Sequence, residues 1–248
     1  MSDAEFLTAE WRDLVMLNFA VDPAVLAPHV PPGTELDLFD GVACVSLVGF
    51  MFLRTRLLGC PVPWHRDFEE LNLRFYVRRP GRPDEPHVGA DGHKRGVAFF
   101  KEIVPRAAVA MVARRLYGER YEAWPMRHVR KNTSQGAGEV AYGARVGGRW
   151  HELGLAFRGE PAAPAPGSEA EFIAEHYWGY VAGPGGPTTE YRVEHPPWRV
   201  WTGVDPRLRL DAAALYGPDL APALAGPPRS AFLAEGSAVT VYRGRRLT

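Results

Sequence analysis

Alternation of polar and apolar residues from Glu70 to Val77 predicts a β-strand over Phe68 to Val77. Side chains on a strand point to opposite faces in turn, so these alternating polar residues share one face, while Leu71, Leu73, Phe75 and Val77 share the other. The polar face carries Glu70, Asn72, Arg74 and Tyr76. Such a face either meets solvent, as in many antiparallel sheets, or lines a cavity where it orients a small polar ligand. Arg74 suits a carboxylate ligand, although its planar guanidinium could instead pair with Glu70.

Similar patterns predict strands along most of the chain. The predicted strands cover residues 11–20, 35–39, 42–53, 96–104, 121–129, 139–146, 150–157, 190–201 and 238–243. The Asp40-Gly41 dipeptide predicts a hairpin between the second and third of these strands. Alternation in the strand at 96–104 places four side chains on one face: Val97, Phe99, Lys101 and Ile103. Residues 79–94 are rich in proline, glycine and charge, which predicts a mobile connection.

Capping residues and helical spacing predict four helices. They cover residues 23–27, 105–117, 168–178 and 211–216. Asp22 is a suitable N-cap for the first, with proline at the first helical position. Ser168 and Glu171 form a capping box at the start of the third. Glycine is placed to end the last three helices, at Gly118, Gly179 and Gly217.

The segment 159–167 (GEPAAPAPG) is the best candidate for a linker, because it is rich in proline and alanine and lacks apolar periodicity. The residues that follow it have too little apolar content to form a core of their own. We therefore interpret 159–167 as an exposed loop and predict that residues 1–248 form a single domain. The glycine-rich pieces 136–138 and 183–186 match no phosphate-binding or dinucleotide-binding motif, and we interpret them as turns.

Composition excludes several classes of partner. Acidic and basic residues balance at 29 each, so no overall field attracts nucleic acid or an anionic membrane. The longest uncharged apolar run, 41–53, is too short to cross a bilayer, and the acidic N-terminus lacks the apolar core of a signal peptide. We expect a cytoplasmic protein in which Cys44 and Cys60 are reduced.

Three groups of motifs resemble the YqjF-like family of uncharacterised bacterial proteins, within the acetoacetate-decarboxylase-like superfamily. They are Phe68 to Val77 (FEELNLRFYV), Gly96 to Phe100 (GVAFF), and Glu175 to Tyr180 (EHYWGY) together with Glu190 to Trp198 (EYRVEHPPW). The resemblance implies a β-rich α+β fold, with a closed, cone-like β-barrel of mixed strands, flanking helices and an interior cavity. The polar face that includes Glu70 would then look into this cavity.

The decarboxylase branch of the superfamily uses a lysine that forms a Schiff base with the substrate. That lysine belongs to a Lys-Lys pair just beyond a helix-to-strand connection, and the comparable segment here, 114–121 (RRLYGERY), contains no lysine. Arginine stays protonated and cannot replace it. Lys101 is the one lysine within a predicted strand, where it is either a desolvated nucleophile or a snorkelling or salt-bridged structural residue. We expect no Schiff-base decarboxylation.

His176 and His195 could act as acids or bases near neutral pH, or pack inside the aromatic group around them. The eight histidines show no zinc-binding spacing, and no G-x-S-x-G motif is present, so we expect neither metal nor cofactor. The leading hypothesis is a small organic anion or carbonyl compound bound in the cavity by Glu70, Asn72, Arg74 and Tyr76.

Two alternatives remain at this point. One is a lyase or other enzyme that acts on a small keto acid without a Schiff base, with Glu70 or His195 as the catalytic candidate. The other is an interaction protein with a filled barrel that acts through its surface. The chain could also form a homo-oligomer.

Overall fold

The structure is a computed structural model that describes residues 4–116, 118–132, 136–182 and 186–247. Its strands are β1 (Glu5–Val21), β2 (Glu35–Leu36), β3 (Ala43–Leu57), β4 (Cys60–Pro61), β5 (Phe68–Pro80), β6 (His93–Val104), β7 (Tyr121–Ala123), β8 (Met126–Asn132), β9 (Gly138–Val146), β10 (Arg149–Phe157), β11 (Trp178–Ala182), β12 (Thr188–Glu194), β13 (Val200–Arg209), β14 (Ser230–Tyr242) and β15 (Arg245–Arg246). Its helices are α1 (Pro23–Leu26), α2 (Ala107–Leu116), α3 (Glu169–Ala174), α4 (Ala212–Tyr216) and α5 (Ala221–Ala225).

Seven strands form a closed ring, in the order β12, β11, β6, β5, β3, β1 and β14. The ring closes where Val193 and Glu194 of β12 pair with Val241 and Thr240 of β14. Neighbours around the ring are antiparallel, except for the parallel pair β6 and β11. The predicted β-rich α+β fold with mixed strand pairing is confirmed.

A second layer covers part of the ring's outer face. Strands β13, β10, β9 and β8 continue from β14 and fold back over β1 and β3. Gly49 of β3 makes this possible, because a Cβ there would lie 2.7 Å from the ring of Tyr142 on β9. The Tyr142 hydroxyl donates to the carbonyl of Asp13 on β1 at 2.9 Å. One apolar core lies between the layers and includes Leu17, Leu47, Leu73, Leu155 and Leu233.

The opposite faces of the ring strands form a second apolar core inside the ring. It includes Leu14 and Met16 of β1, Val48 and Phe50 of β3, and Val97 of β6. Helices α2 and α3 contribute Ala110, Ile173 and Ala174 to the same core. Because the apolar face of β5 belongs to the outer core, its polar face points into the ring.

Several local predictions are confirmed. Asp22 caps α1, accepting from the amide of Ala24 at 2.9 Å, and Ser168 caps α3 by accepting from the amide of Glu171 at 3.3 Å. Gly118 and Gly217 follow helices with φ of 75° and 92°, a conformation that costs glycine little. The proline pair at 196–197 separates β12 from β13. The segment 159–167 is a mostly exposed loop, joined to β13 by a bridge between Ala162 and Val200.

The hairpin predicted at 35–53 is wrong, although its turn forms. Asp40 and Gly41 have φ of 49° and 78°, and Phe39 bridges Val42. Beyond this bridge the chain leaves the hairpin, and β2 pairs with Arg78 and Val77 of β5 instead. The long strand β3 is already paired on both edges, by β1 and β5, so no edge is free for residues 35–36.

The third predicted helix is too long. It ends at Ala174, and Trp178–Ala182 is strand β11, paired with both β6 and β12. Gly179 therefore does not end a helix; it allows the ring of Tyr191 to lie against the backbone of β11. Tertiary pairing here overrides the local helix signal.

Two further expectations change. Residues 79–94 are not a loose connection throughout, because Arg79 pairs with Lys94 in the β5–β6 ladder. The strand predicted at 121–129 is divided into β7 and β8 by residues 124–125, where a proline interrupts the pairing. Tyr117, at the end of the second predicted helix, and most of the glycine-rich turn at 183–186 lie outside the described residues.

Among the residues described, no helix is both long enough and apolar enough to cross a membrane. Both cysteines are free, Cys44 buried and Cys60 exposed.

Candidate functional site

The interior of the ring is not filled. It contains a cavity of about 210 Å³ with largely apolar walls. The strand walls include Leu14, Val48, Phe50, Phe68, Val97 and Phe99, and one end is bordered by Val109 and Val112 of α2. The lining residues that are partly exposed include Val109 and Val112 of α2, Val62 and His65 in the loop before β5, and strand residues such as Leu7, Leu57 and Val241. Helix α2 and the loop before β5 therefore both border the cavity at positions that solvent can reach.

Three of the four predicted ligand-binding residues line the cavity: Glu70, Asn72 and Arg74. Each is at least nine-tenths buried. Tyr76, the fourth, lies deeper in the core, and its hydroxyl is 2.6 Å from the Ser46 hydroxyl. The alternation of β5 thus indicates the correct face, while the cavity stops before Tyr76.

Two further acids line the same cavity, Glu102 and Glu119. Glu102 faces inward because β6 has a bulge: Leu73 lies opposite Lys101 and Arg74 lies opposite Phe99, so Phe100 has no counterpart in β5. An extra residue reverses the inside-outside alternation beyond it. The prediction that Lys101 shares the face of Phe99 is therefore wrong, and Glu102 takes its place inside.

Glu70, Glu102 and Glu119, here called the carboxyl cluster, are joined by hydrogen bonds. Glu70 accepts from the Asn72 amide at 3.0 Å and from the Tyr121 hydroxyl at 2.9 Å. Tyr121 also hydrogen-bonds with Glu102. Glu102 donates to Glu119, which accepts in addition from the Tyr191 hydroxyl at 2.7 Å.

Burial controls the ionisation of the carboxyl cluster. Desolvation raises the pKa of Glu70 to about 7, against the opposing effect of hydrogen bonds from Asn72 and Tyr121 and of the Arg74 charge. Desolvation likewise raises the pKa of Glu119 to about 7. The pKa of Glu102 is well above its ordinary value because of desolvation, followed by repulsion from the other two acids. Near neutral pH the carboxyl cluster therefore retains protons.

Arg74 is the guanidinium on the cavity wall. Its Nη2 donates to the carbonyl of Ile173 in α3 at 3.1 Å, and its charge lies 5.6 Å from the ring centre of Tyr76. Its Nε is buried and, among the described residues, has no hydrogen-bond partner, and the same is true of Asn72 Oδ1 and Glu102 Oε2. Buried polar atoms are usually satisfied, so these three cavity residues offer one donor and two acceptors to a ligand or to water.

The two histidines considered as acid or base candidates, His176 and His195, lie in different parts of the structure. His176 lines the cavity, and its Nε2 lies 3.3 Å from Asp37 Oδ2. His195 is not among the cavity residues. Its ring stacks on that of Trp198 with 4.1 Å between the ring centroids, and its centroid lies 4.8 Å from that of Tyr177. Desolvation lowers the pKa of His195 to about 4, which keeps it neutral within this aromatic group.

None of the three lysines of the chain lines the cavity. Lys101 pairs with Glu122 at 2.9 Å and Lys131 pairs with Glu139 at 2.8 Å. Lys94 is fully buried, 2.7 Å from Glu190 and 3.3 Å from the ring centre of Trp178. Among the residues that the structure describes, none supplies the cavity with an amine for a Schiff base, and Lys101 is salt-bridged to Glu122.

A second group of buried charges, outside the cavity, shows how this chain stabilises a buried carboxylate. Glu190 is fully buried and paired with Arg79 at 2.5 Å, Lys94 at 2.7 Å and Arg245 at 3.0 Å. Although desolvation opposes ionisation, hydrogen bonds and charge from Arg79 and Lys94 lower the pKa of Glu190. Among the described residues, no cation forms an ion pair with an acid of the carboxyl cluster, and the pKa values of these acids are raised instead.

The chain matches the model of the DUF2071 family, described as "Uncharacterized conserved protein (COG2071)", over residues 8–238. It belongs to this family. A curated relative, "Uncharacterized protein YqjF" of Bacillus subtilis, is 40% identical over 74 residues, which cover 29% of this chain and 31% of the relative. The matched segment thus spans about a third of that relative's length.

Solved structures show the same fold. The enduracididine biosynthesis enzyme MppR complexed with pyruvate superposes with a TM-score of 0.66 at 16% identity, over 100% of this chain and 92% of the other. An acetoacetate decarboxylase-like enzyme from Sphingomonas wittichii RW1 superposes with a TM-score of 0.64 at 16% identity, over 100% of this chain and 94% of the other. Acetoacetate decarboxylase from Legionella pneumophila superposes with a TM-score of 0.63 at 14% identity, over 99% of this chain and 88% of the other. The predicted family resemblance and acetoacetate-decarboxylase-like fold are confirmed.

Three cavity residues, Glu102, Glu119 and Tyr121, are not indicated as site residues by any pattern in the sequence. Glu102 is hidden by the bulge, which changes which residues of β6 face inward. Glu119 follows Gly118 in the short connection between α2 and β7, where a charged residue is typical of an exposed turn. Glu102 lies on the ring strand β6, and the pairing of β7 with β6 brings Tyr121, with Glu119 two residues before it, to the same cavity.

Proposed function

We propose that this protein binds a small, mainly apolar ketone or keto acid in the ring cavity, with the carbonyl end of the compound at Arg74 and the carboxyl cluster. The observation that carries the proposal is an apolar cavity that ends on buried polar atoms, including a guanidinium nitrogen of Arg74 with no hydrogen-bond partner among the described residues. A void inside the ring disfavours the alternative of a filled barrel that acts only through its surface.

The size of the cavity restricts the ligand. About 210 Å³ is smaller than the roughly 300–1,000 Å³ of pockets for drug-sized compounds, so a ligand of fewer than about ten heavy atoms fits best. Apolar walls favour a branched or linear hydrocarbon body. The solved neighbour MppR is described in complex with pyruvate, which supports a carbonyl compound as the class to test.

Two probes separate the polar contacts from the apolar ones. Ketoisocaproate and methyl isobutyl ketone share the same branched body and ketone, and differ in that a carboxylate of the first is replaced by a methyl group in the second. We expect both to bind in isothermal titration at about pH 6, where Glu70 and Glu119, with pKa values of about 7, are mostly protonated. Under these conditions Arg74 is the dominant charge of the cavity wall.

Arg74→Gln should weaken binding of ketoisocaproate by about tenfold or more, because a charge-assisted hydrogen bond contributes roughly 1.5–3 kcal/mol. Binding of methyl isobutyl ketone should weaken less. Arg78→Gln is the matched control, since it removes a guanidinium of the same strand that pairs with Glu35 outside the cavity at 2.8 Å. The proposal fails if neither probe binds the unmodified protein, or if R74Q and R78Q affect ketoisocaproate equally.

A further inference from the structure

Three buried acids inside an apolar cavity need an explanation other than stability. Removing carboxyl groups from water is costly, and apolar side chains of similar size would stabilise the interior at least as well. Elsewhere the chain surrounds the buried Glu190 with Arg79, Lys94 and Arg245. In the carboxyl cluster the three acids instead share hydrogen bonds with one another and with two tyrosines. This arrangement holds exchangeable protons next to the cavity.

The hydrogen bonds distinguish the roles of the three acids. Glu70 accepts from both Asn72 and Tyr121 and is attracted by Arg74, so its environment favours the carboxylate more than that of Glu102. Glu102 is flanked by the two other acids and donates to Glu119, so it keeps its proton. Because Glu70 also shares a face of β5 with Arg74 on the cavity wall, it is the acid placed to act as the base, and Glu102 with Glu119 forms a reserve of protons connected through Tyr121.

The spacing along β5 places a donor within reach of the same ligand. Glu70 and Arg74 are four residues apart on one strand face, roughly 13 Å between their Cα atoms, and Asn72 lies between them. Arg74 Nε is a buried donor with no partner in the part of the chain that the structure describes, and Asn72 Oδ1 and Glu102 Oε2 are likewise unpartnered. A ketone between the two long side chains can accept from Arg74 while its neighbouring carbon faces Glu70.

We propose that the cavity catalyses proton transfer at the carbon next to the carbonyl group of a bound ketone or keto acid, with Glu70 as the base and Arg74 as the donor to the carbonyl oxygen. The inference rests on the proposed binding function and adds a reaction to it. It requires no amine, metal or redox partner.

The atoms and electrons of the step balance. The C–H bond breaks, its proton moves to a Glu70 oxygen, and its electron pair forms the C=C bond of an enolate while the carbonyl π electrons move to oxygen. Arg74 stabilises that oxygen, the place where negative charge develops. Return of a proton from Glu70, after exchange through Tyr121 and Glu102, regenerates the ketone. The net result is exchange of the hydrogens beside the carbonyl with protons of the solvent.

The test is deuterium exchange into methyl isobutyl ketone in D2O, followed by loss of its proton NMR signals beside the carbonyl. We expect the protein to accelerate exchange at least about tenfold over buffer, and Glu70→Gln to reduce the enzyme-dependent rate about 100-fold or more, as is typical for loss of a general base. Glu70→Asp, which withdraws the carboxylate by one methylene, should retain part of the rate.

The expected pH profile follows from the groups that face Glu70, namely Asn72, Tyr121, Arg74, Glu102 and Glu119. The enzyme-dependent rate should rise with pH and level off above about pH 7, as Glu70 loses its proton. A merely structural Glu70 would change stability without producing this profile.

Glu69→Gln is the matched control, because Glu69 is adjacent in sequence, lies on the opposite face of β5 and contacts His128 Nδ1 at 2.7 Å. E69Q should catalyse deuterium exchange into the ketone at the rate of the unmodified protein.

Binding of the ketone is measured in parallel by titration, so that failure of the proposed binding and failure of the proposed reaction can be distinguished. No binding overturns the proposed function and this reaction with it. Binding without exchange, or equal exchange by E70Q and the unmodified protein, overturns the reaction alone.

Discussion

Glu102 has the least favourable surroundings for a negative charge among the three acids of the carboxyl cluster. Only 2% of it is exposed, and Glu70 and Glu119 both repel its ionised form. A hydrogen bond to Glu119 lets one proton serve two carboxyl groups, as in other pairs of close carboxylates. The arrangement is stable only while protons remain in it, so the stability of the whole protein should depend on pH.

The sign of this dependence follows from the raised pKa values. Glu70 and Glu119 titrate near 7 in the folded protein and near 4.5 in the unfolded chain. The folded state therefore binds more protons than the unfolded state between these values. The stabilisation is fully present below about pH 4.5 and is lost as the pH rises through about 7, with a loss on the order of 3 kcal/mol for each group.

The double variant Glu70→Gln, Glu119→Gln should flatten this loss, because glutamine does not titrate. The measurement is urea unfolding at intervals between about pH 5 and about pH 8. Glu139→Gln is the control: Lys131 and Arg207 lower the pKa of Glu139 to about 2, below the range tested, so E139Q should retain the slope of the unmodified protein. A double variant with an unchanged slope would show that the two acids do not titrate in this range.

At the scale of elements, Gly179 shows how closely β11 and β12 pack beside the cavity. A Cβ at this position would lie 2.1 Å from Cζ and 2.4 Å from the hydroxyl of Tyr191. Tyr191 could not stay in place, and its hydrogen bond to Glu119 would be lost or displaced. The glycine thus controls the position of a hydroxyl that contacts the carboxyl cluster.

We expect Gly179→Ala to destabilise the protein by roughly 1–3 kcal/mol, the usual cost of overpacking a filled core. Gly226→Ala is the matched control, because a Cβ at Gly226 meets nothing within 4 Å and its φ of −89° suits any residue. Urea unfolding of both variants gives the comparison. Equal stability of G179A and G226A would mean that β11 and β12 are less tightly packed than the structure indicates.

Elements with a local physical cause could be predicted from the sequence. Asp22 and Ser168 start helices because their side-chain oxygens accept from nearby amides, and the alternation in Phe68–Val77 identifies the face that includes Glu70. Features set by distant partners could not be predicted. The bulge at Phe100 and the pairing of β2 with β5 depend on the neighbouring strands, and no local pattern distinguishes a bulged strand from a regular one.

At the scale of the whole molecule, the two layers share one core. Strand β13 joins the outer layer to the ring by pairing with β14, and Leu153 and Leu155 of β10 pack with Leu47 and Leu73 of the ring strands. Separation of the two layers would expose this apolar surface to water. The prediction of a single domain therefore leads to a prediction about unfolding.

We expect the chain to unfold in one cooperative transition. The temperature midpoints followed by far-ultraviolet circular dichroism and by tryptophan fluorescence should coincide, since Trp150 and Trp201 lie in the outer layer while Trp11 lies in the ring. Two separated transitions would show instead that the outer layer and the ring fold independently.

The two cysteines differ in a way that is useful for following ligand entry. Cys44 is buried, and desolvation raises the pKa of its thiol to about 11, which keeps it unreactive. Cys60 is exposed and lies two residues before Val62, which lines the cavity. We therefore expect a maleimide dye to attach at Cys60 in the unaltered chain, two residues from the cavity lining, where a change of its emission on adding a compound would indicate binding.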